Sequence, residues 1–350
     1  MTPRVTVLLP VRDGAAYVGA AVESVLAQTY ADFELLVVDD GSTDGTPEVL
    51  AGFADPRLRV LRNEENEGLV PSLNRGLAEA RGAYLARIDA DDRCLPRRLE
   101  RQVAVLDAEP RVGLVGAWME LVDADGAPAG RLVARISDFA EFLYYTLIMY
   151  VLVSHPAAMF RREAALAVGG YDPHTFLAED KDLWRRLALA RWDARIVEEP
   201  LVVYRLHEAS ITSRNLDAQR VVDAESQERF LATLSPGAPE RLLRLLLAAQ
   251  PGFWSEPGDP VAALEQLVAA AEERLRLEPA ERARLEVLVR ARVLDVARRR
   301  PLGGRARALA AWAGGSLRPR DYAAAPAHAA APVLRGGWRS ARRVYAKLVR

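Results

Sequence analysis

The chain has 350 residues, half of them hydrophobic and 27% charged, with a formal net charge of −1. That is a globular balance, able to fill a real core and long enough for one large α/β domain with an appendage. The single cysteine, Cys94, excludes an internal disulfide and fits a reducing compartment.

The first part of the chain alternates strand and helix signals, the pattern of an α/β sheet. Val5-Thr6-Val7-Leu8-Leu9 reads as a buried strand ended by Pro10, and residues 15–28 as a helix with Val18, Val22 and Leu26 at helical spacing. A second strand covers residues 33–38. Ser42 or Thr43 then caps a helix running to Phe53, with Asp44 and Glu48 near its positive end. A short third strand, residues 58–61, precedes a helix over 68–81 closed by Gly82. The fourth strand, residues 84–88, delivers Asp89 and Asp91 to its end. A helix follows from Pro96, burying Leu99, Val103 and Leu106.

Residues 112–116 read as another strand and residues 123–126 as a turn. A helix is expected over 138–149, then a strand through 151–153 or 157–160, a helix over 180–190 and a last strand at 202–205. Beyond Leu216 the texture turns to Ala, Leu, Arg and Glu at helical spacing, broken by Pro236, Pro251, Pro257 and Pro279. The expected division is therefore residues 1–216, an α/β domain; 217–300, a helical appendage; and 301–350, a basic Ala/Arg/Pro-rich tail ending in a short amphipathic helix near residues 338–349.

Two acidic clusters stand directly after strand signals: Asp39-Asp40-Gly41-Ser42-Thr43-Asp44 and Asp89-Ala90-Asp91-Asp92. In an open α/β sheet the carboxyl ends of the strands are where ligands bind. Carboxylates gathered there repel one another unless a cation or hydrogen-bond donors compensate, and a divalent metal carrying a diphosphate would do so. The bland alternatives are local. Asp39 and Asp40 could cap a helix, and Asp89-Ala90-Asp91 could be a solvated turn capping the helix that starts at Pro96, with Asp92 partly such a cap. Glu179 and Asp180 could simply place negative charge at a helix start.

The wider set of motifs tips that balance. Thr6-Val7-Leu8-Leu9-Pro10-Val11-Arg12-Asp13, Leu26-Ala27-Gln28-Thr29-Tyr30 and the first acidic cluster come in order, followed by Ser72-Leu73-Asn74-Arg75-Gly76-Leu77. Then come Ala86-Arg87-Ile88-Asp89-Ala90-Asp91-Asp92 and Pro96-Arg97-Arg98-Leu99-Glu100-Arg101-Gln102. His155-Pro156-Ala157-Ala158-Met159-Phe160-Arg161, Gly169-Gly170-Tyr171-Asp172, Ala178-Glu179-Asp180 and Tyr204-Arg205-Leu206-His207 complete the series. Over residues 4–215 this resembles the family 2 glycosyltransferases, inverting enzymes of the GT-A fold. The remaining third of the chain is not covered.

The resemblance implies a Rossmann-like, mostly parallel mixed sheet flanked by helices and a metal-dependent transfer from a nucleotide diphosphate sugar, a UDP-sugar first among them. The acceptor would be a glycan or lipid-linked molecule in cell-surface polysaccharide synthesis. Pro10 and Arg12 would border the base, while Asp39 or Asp40 would accept from base or ribose. Asp91 would coordinate Mn²⁺ or Mg²⁺, Asp89 would contact ribose or reach the metal through water, and His207 is the third candidate ligand. Asp180 would be the general base. Glu179 would orient the acceptor or a neighbouring loop. His155 is expected to be structural or a wall of the acceptor groove, and Gly169 and Gly170 to give backbone freedom near the sugar. Cys94 has no partner visible in the sequence.

Two rival functions are weighed. A sugar nucleotidyltransferase would carry a Gly-rich basic loop after the first strand, where this chain has Pro10-Val11-Arg12-Asp13-Gly14. A non-catalytic scaffold would not need the acidic positions. No secretory signal is evident, since Val5 to Leu9 is too short and Arg12 and Asp13 interrupt it. The longest apolar run, residues 143–153, falls short of the roughly 20 that span a bilayer. After Arg298 the chain carries roughly a dozen excess positive charges with Trp312, Tyr322, Trp338 and Tyr345 among them. That mixture suits an anionic membrane surface, so the expected location is cytoplasmic, with peripheral contact on the cytoplasmic face. Nucleic acid is not an expected partner, because no nucleic-acid-binding module accompanies these residues.

Overall fold

A computed structural model describes residues 2–148, 153–208, 210–247, 257–298 and 313. The amino-terminal third builds a parallel sheet from β1 (Val5–Val11), β2 (Phe33–Asp39), β3 (Leu58–Arg62) and β4 (Tyr84–Arg87). Between them run α1 (Val18–Leu26), α2 (Thr46–Ala51) and α3 (Leu69–Glu79). Every residue of β1 and β2 is buried. Strands covered on both faces need no polar alternation, which is why these segments read as unbroken apolar runs.

The sheet then turns mixed. After β5 (Arg93–Cys94) and α4 (Arg98–Ala108) come the long β6 (Val112–Val122) and β7 (Pro128–Leu132), which pair as a hairpin. Next are α5 (Phe139–Leu147), a 3-10 turn at His155–Ala157, β8 (Met159–Arg161), α6 (Arg162–Ala167) and a second 3-10 turn at Pro173–Thr175. α7 (Glu179–Leu189) and β9 (Asp193–Arg205) finish the sheet. Among the described residues it has nine strands in the order β3-β2-β1-β4-β8-β6-β9-β5, with β7 on the side of β6. β8 runs antiparallel to both β4 and β6, while β6 and β9 are parallel to each other.

The last described elements are helical: α8 (Ile211–Arg214), α9 (Leu216–Leu234), α10 (Glu240–Leu247), α11 (Pro260–Leu275) and α12 (Pro279–Arg298). One face of the sheet packs on α1 and α4 through Val22, Leu99 and Val103. The other packs on α3, α5 and α7. Leu231, Leu246, Leu267 and Leu288 of the carboxyl-terminal helices join that second core without a break. No helix among the described residues is long and apolar enough to cross a membrane.

Several elements depart from the sequence expectation. Pro10 does not end β1; it lies inside the strand opposite Val38, because an extended backbone suits the proline ring and only one N–H is lost. α2 begins at Thr46 rather than after Ser42 or Thr43, since the Ser42 hydroxyl instead accepts from the Asp13 N–H (3.0 Å). Gly82 is not the end of a helix. α3 stops at Glu79, and Gly82 lies where a Cβ would stand 2.4 Å from the Thr6 nitrogen. The last strand is much longer than residues 202–205, bulged against β6 around Ala117 and Trp118, and β7 was not foreseen. Of the two positions considered for the strand after α5, the chain uses the later, at Met159–Arg161. Residues 151–152 lie outside the described residues, as do the expected helix at 338–349 and Trp312, Tyr322, Trp338 and Tyr345.

Away from the strand ends that carry the acidic clusters, a buried polar knot fixes the register of β1, β2 and β4. The Thr6 hydroxyl donates to Glu34 Oε1 (2.7 Å) and accepts from the Gly82 N–H (2.9 Å). Glu34 Oε1 also accepts from the Arg81 N–H (2.8 Å).

Candidate active site

The first acidic cluster, at the end of β2, is almost fully satisfied by the protein itself. Asp40 is buried; its Oδ1 accepts from Asn63 Nδ2 (2.7 Å) and the Glu67 N–H (2.9 Å), and its Oδ2 from the Gly68 N–H (2.9 Å). These bonds tie β2 to the loop that starts α3, so the carboxylate expected as a nucleotide contact is committed to that loop. Asp39, also buried, accepts from the Ser42 N–H (3.0 Å) and has Arg62 Nε at 3.5 Å from its second oxygen. Asp39 thus keeps more free capacity than Asp40. Pro10 is buried in β1, while Arg12 is half exposed beside Asp13 (Nε to Oδ2 3.6 Å). Beside this cluster opens a cavity of about 690 Å³ lined by Arg62, Asn63, Glu64, Glu65, Glu67 and Arg75.

The second cluster is the opposite case. Carboxylate oxygens of Asp89, Asp91 and Asp92 lie within 4.8 Å of one another. Asp91 Oδ2 is 2.7 Å from His207 Nε2, which the end of β9 brings alongside β4. Asp92 is buried and accepts from the Arg205 N–H (2.9 Å), so it joins β9 to this loop rather than capping a helix. Its second oxygen, Oδ2, is buried with no partner. Burial, with the charges of Asp89 and Asp91, lifts Asp92 well above the ordinary carboxylate range. Asp89 is raised as well, by burial and by Asp91, although 31% of its side chain reaches solvent.

α7 brings two further carboxylates to the same place. Glu179 is buried, its Oε2 has no partner, and burial together with neighbouring Asp180 pushes it up to about 7. Asp180 is half-buried and accepts only a local bond from the Lys181 N–H (2.7 Å). Burial raises it, against the pull of Lys181. Behind Glu179 lies His155, Nδ1 at 3.7 Å, whose Nε2 is 2.9 Å from the Tyr171 hydroxyl. Burial and Arg87 hold that imidazole well below its usual value, so it is neutral. Tyr171 is in turn bracketed by Asn74, which donates to its carbonyl (2.8 Å) and accepts from its N–H (2.9 Å). His155 is therefore a wall behind the acids. Gly169 and Gly170, both at positive φ, shape the turn that delivers Tyr171; a side chain at 170 would strike Asn74 Oδ1 at 2.8 Å.

Arg87 links the two acidic groups and was not singled out in the sequence. It is buried at the end of β4 in contact with Asp89, and its Nε finds no hydrogen-bond acceptor. Asp89, Tyr171 and Glu179 all pull its ionisation upward. A guanidinium does not give up its proton in a protein, so Arg87 is a permanent positive charge amid at least four carboxylates. The available signal was an arginine inside a strand otherwise buried on both sides. Its carbonyl is held by Arg98 Nη2 (2.6 Å), which also reaches the Ala158 carbonyl (3.1 Å). Arg98 Nη1 lies 3.2 Å from Cys94 Sγ, so Cys94 does have a partner.

A divalent cation fits this donor set. Hard oxygen ligands, a neighbouring imidazole and a buried carboxylate oxygen without a partner are what Mn²⁺ or Mg²⁺ accept. The fold itself, a mixed sheet with carboxylates at the strand ends and helices beyond, is that of the GT-A glycosyltransferases. It aligns with Staphylococcus aureus TarS 1–349 in complex with UDP-GlcNAc at a TM-score of 0.54 and 17% identity, over 89% of this chain and 92% of that one. It also aligns with the mannosyltransferase PcManGT of Pyrobaculum calidifontis in complex with GDP-Man and Mn²⁺, at a TM-score of 0.51 and 22% identity, covering 90% and 85%.

In sequence, residues 6–168 match the profile of glycosyl transferase family 2. EpsE of Bacillus subtilis, named as a glycosyltransferase by assignment, is 33% identical over 189 residues, 53% of this chain and 66% of its own length. TuaG of the same organism, named for teichuronic acid biosynthesis, is 28% identical over 220 residues, 62% of this chain and 85% of its own. Residues 6–168 therefore form a glycosyl transferase family 2 domain. The chain spans just under two thirds of the length of EpsE.

Proposed function

We propose that this protein is a metal-dependent inverting glycosyltransferase that moves a sugar from a nucleotide diphosphate donor to a glycan or lipid-linked acceptor. The observation that carries the reading is the cluster of Asp89, Asp91 and Asp92 beside His207, with Glu179 and Asp180 nearby and the buried Arg87 facing Asp89, Asp92, Glu179 and Asp180. Such an arrangement is electrostatically incomplete without further positive charge. Asp91 and His207 would hold Mn²⁺ or Mg²⁺, with Asp89 facing the ribose or the ion through water. The ion would neutralise charge on the departing diphosphate. Asp39 would accept from base or ribose at the other acidic cluster, with Pro10 and Arg12 alongside.

Asp180 would take the acceptor proton. As the acceptor oxygen bonds to the anomeric carbon, its proton passes to the Asp180 carboxylate and the carbon–oxygen bond to the diphosphate breaks, the electron pair leaving with the nucleotide. One displacement inverts the anomeric configuration. Glu179, buried and carrying its proton near neutral pH, would donate a hydrogen bond that orients the acceptor or the loop beside it. The TarS complex contains UDP-GlcNAc and the PcManGT complex GDP-Man, so both nucleotides belong in the donor screen. The name of TuaG supports a cell-surface polysaccharide as the product class. A cytoplasmic location with peripheral membrane contact through residues 301–350 completes the proposal.

The test is transfer or hydrolysis of UDP-glucose, UDP-GlcNAc and GDP-mannose with Mn²⁺, Mg²⁺ or EDTA. Turnover that needs the metal and vanishes in Asp91→Ala and Asp180→Asn is expected. Wild-type turnover by folded Asp180→Asn protein would sink the mechanism.

A further inference from the structure

α9 changes character along its length. Its carboxyl-terminal half buries Phe230, Leu231 and Leu234 in the core, but its amino-terminal half turns polar groups inward. Gln219, Asp223 and Ser226 stand at i, i+4 and i+7, one stripe of the helix. Each grips the segment that carries Glu179 and Asp180. Gln219 Nε2 donates to the Leu177 carbonyl (2.9 Å). Asp223 accepts from Lys181 Nζ (2.6 Å) with one oxygen and from Arg185 Nη2 (2.6 Å) with the other. Ser226 accepts from Arg185 Nη1 (3.0 Å) and donates to Asp182 Oδ1 (2.9 Å).

Asp223, Ser226 and Arg185 are each at most 3% exposed. Buried ion networks add little net stability compared with apolar packing, but they impose geometry. The segment they hold has something to be held against. Leu177 has φ of +81°, in the left-handed region that a side chain with a Cβ disfavours, just ahead of the first turn of α7. Lys181, the residue after Asp180, is drawn toward α9 by Asp223 while its charge still lowers Asp180. Burial alone would raise Asp223, but Lys181 and Arg185 override it and keep the carboxylate ionised.

We infer that Gln219, Asp223 and Ser226 are positioning residues that fix the first turn of α7, and with it Asp180, against the strand-end carboxylates. The amino-terminal half of α9 then supports the catalytic site, while its apolar end only packs in the core. This rests on the reading of Asp180 as the base.

The experiment uses the full chain with Gln219→Ala, Asp223→Asn and Ser226→Ala, and with Leu231→Ala as a control that loosens α9 from its apolar end. Transfer or hydrolysis of UDP-GlcNAc or GDP-mannose gives kcat and KM, calorimetry with UDP or GDP and Mn²⁺ gives nucleotide affinity, and melting gives the thermal midpoint. Asp223→Asn and Gln219→Ala are expected to lower kcat roughly 10- to 100-fold, as a small misplacement of a catalytic group does. KM for donor and nucleotide affinity should stay within about twofold. Leu231→Ala should lower the midpoint and leave kcat within about twofold. Should Asp223→Asn not fold, Gln219→Ala and Ser226→Ala carry the same test. The inference is overturned if the polar variants keep wild-type kcat, or if Leu231→Ala loses kcat as they do. Asp180→Asn runs alongside: if it is inactive while the polar variants are normal, only the positioning role falls, and if it is fully active, both readings fall.

Discussion

The two acidic clusters occupy equivalent places, each at the end of a parallel strand, yet they differ in how their charge is met. At Asp40 three hydrogen bonds from Asn63, Glu67 and Gly68 occupy most of the carboxylate's capacity. At Asp89, Asp91 and Asp92, with Glu179 and Asp180 opposite, the buried oxygens Asp92 Oδ2 and Glu179 Oε2 remain without donors, and Arg87 is the buried guanidinium that faces Asp89 and Glu179. The first arrangement shapes a loop. The second leaves buried carboxylate oxygens without hydrogen-bond donors. Position at a strand end marks where ligands bind, but the state of the hydrogen bonds separates carboxylates that build the site from those that use it.

The largest effect expected of this contrast is on turnover. Asp180→Asn should lower transfer by roughly 10²- to 10⁴-fold, with no loss of thermal stability; a steady-state assay beside a melting curve checks both. Arg87→Met should be the most destabilising change, about 3–5 kcal/mol, because it leaves buried carboxylates without their cation. Urea unfolding measures it, and added Mn²⁺ should restore more stability to this variant than to wild type.

Glu179 gives a pH-dependent test. Its folded value, about 7, lies above the ordinary 4.5, so the folded state holds the proton longer than the unfolded chain. Stability from that proton is full below the ordinary value and is lost as pH rises through 7. Between pH 5 and 8 the unfolding free energy of Glu179→Gln should therefore gain about 2–3 kcal/mol on wild type. The smallest effects should have opposite signs. Asp40→Asn places an amide against the Gly68 N–H and should cost about 1–3 kcal/mol. Asp92→Asn removes a buried charge with an unpartnered oxygen and should leave the metal-free protein as stable or more so. Equal costs at 40 and 92 would break the comparison.

Much of this was legible in the chain. The alternation of apolar runs with helical spacing gave the sheet and its flanking helices, and motif order pointed to Asp91 with His207, which lie 116 residues apart yet touch. What escaped depended on partners distant in sequence. Nothing near Asp40 shows that Asn63, Glu67 and Gly68 will claim it while leaving Asp39 freer. Arg87 reads as an ordinary strand residue until Glu179 is folded against it. β9 exceeds the strand expected at residues 202–205 because Glu198, Glu199 and Pro200 interrupt its apolar pattern at a bulge, where the pairing shifts instead of ending.

The knot of Thr6, Glu34, Arg81 and Gly82 has a consequence at the far end of the strands. A slip of one residue between β1 and β4 would carry Asp89 to Asp92 about 3.3 Å along the strand and turn alternate side chains to the wrong face. Metal ligands tolerate errors of only about 0.2 Å. Gly82, with no room for even a methyl group against Thr6, works as a ruler's zero mark. The alignment of the two acidic clusters is set at the opposite end of the strands, and a change as small as Gly82→Ala would be read out as a shift of one cluster against the other.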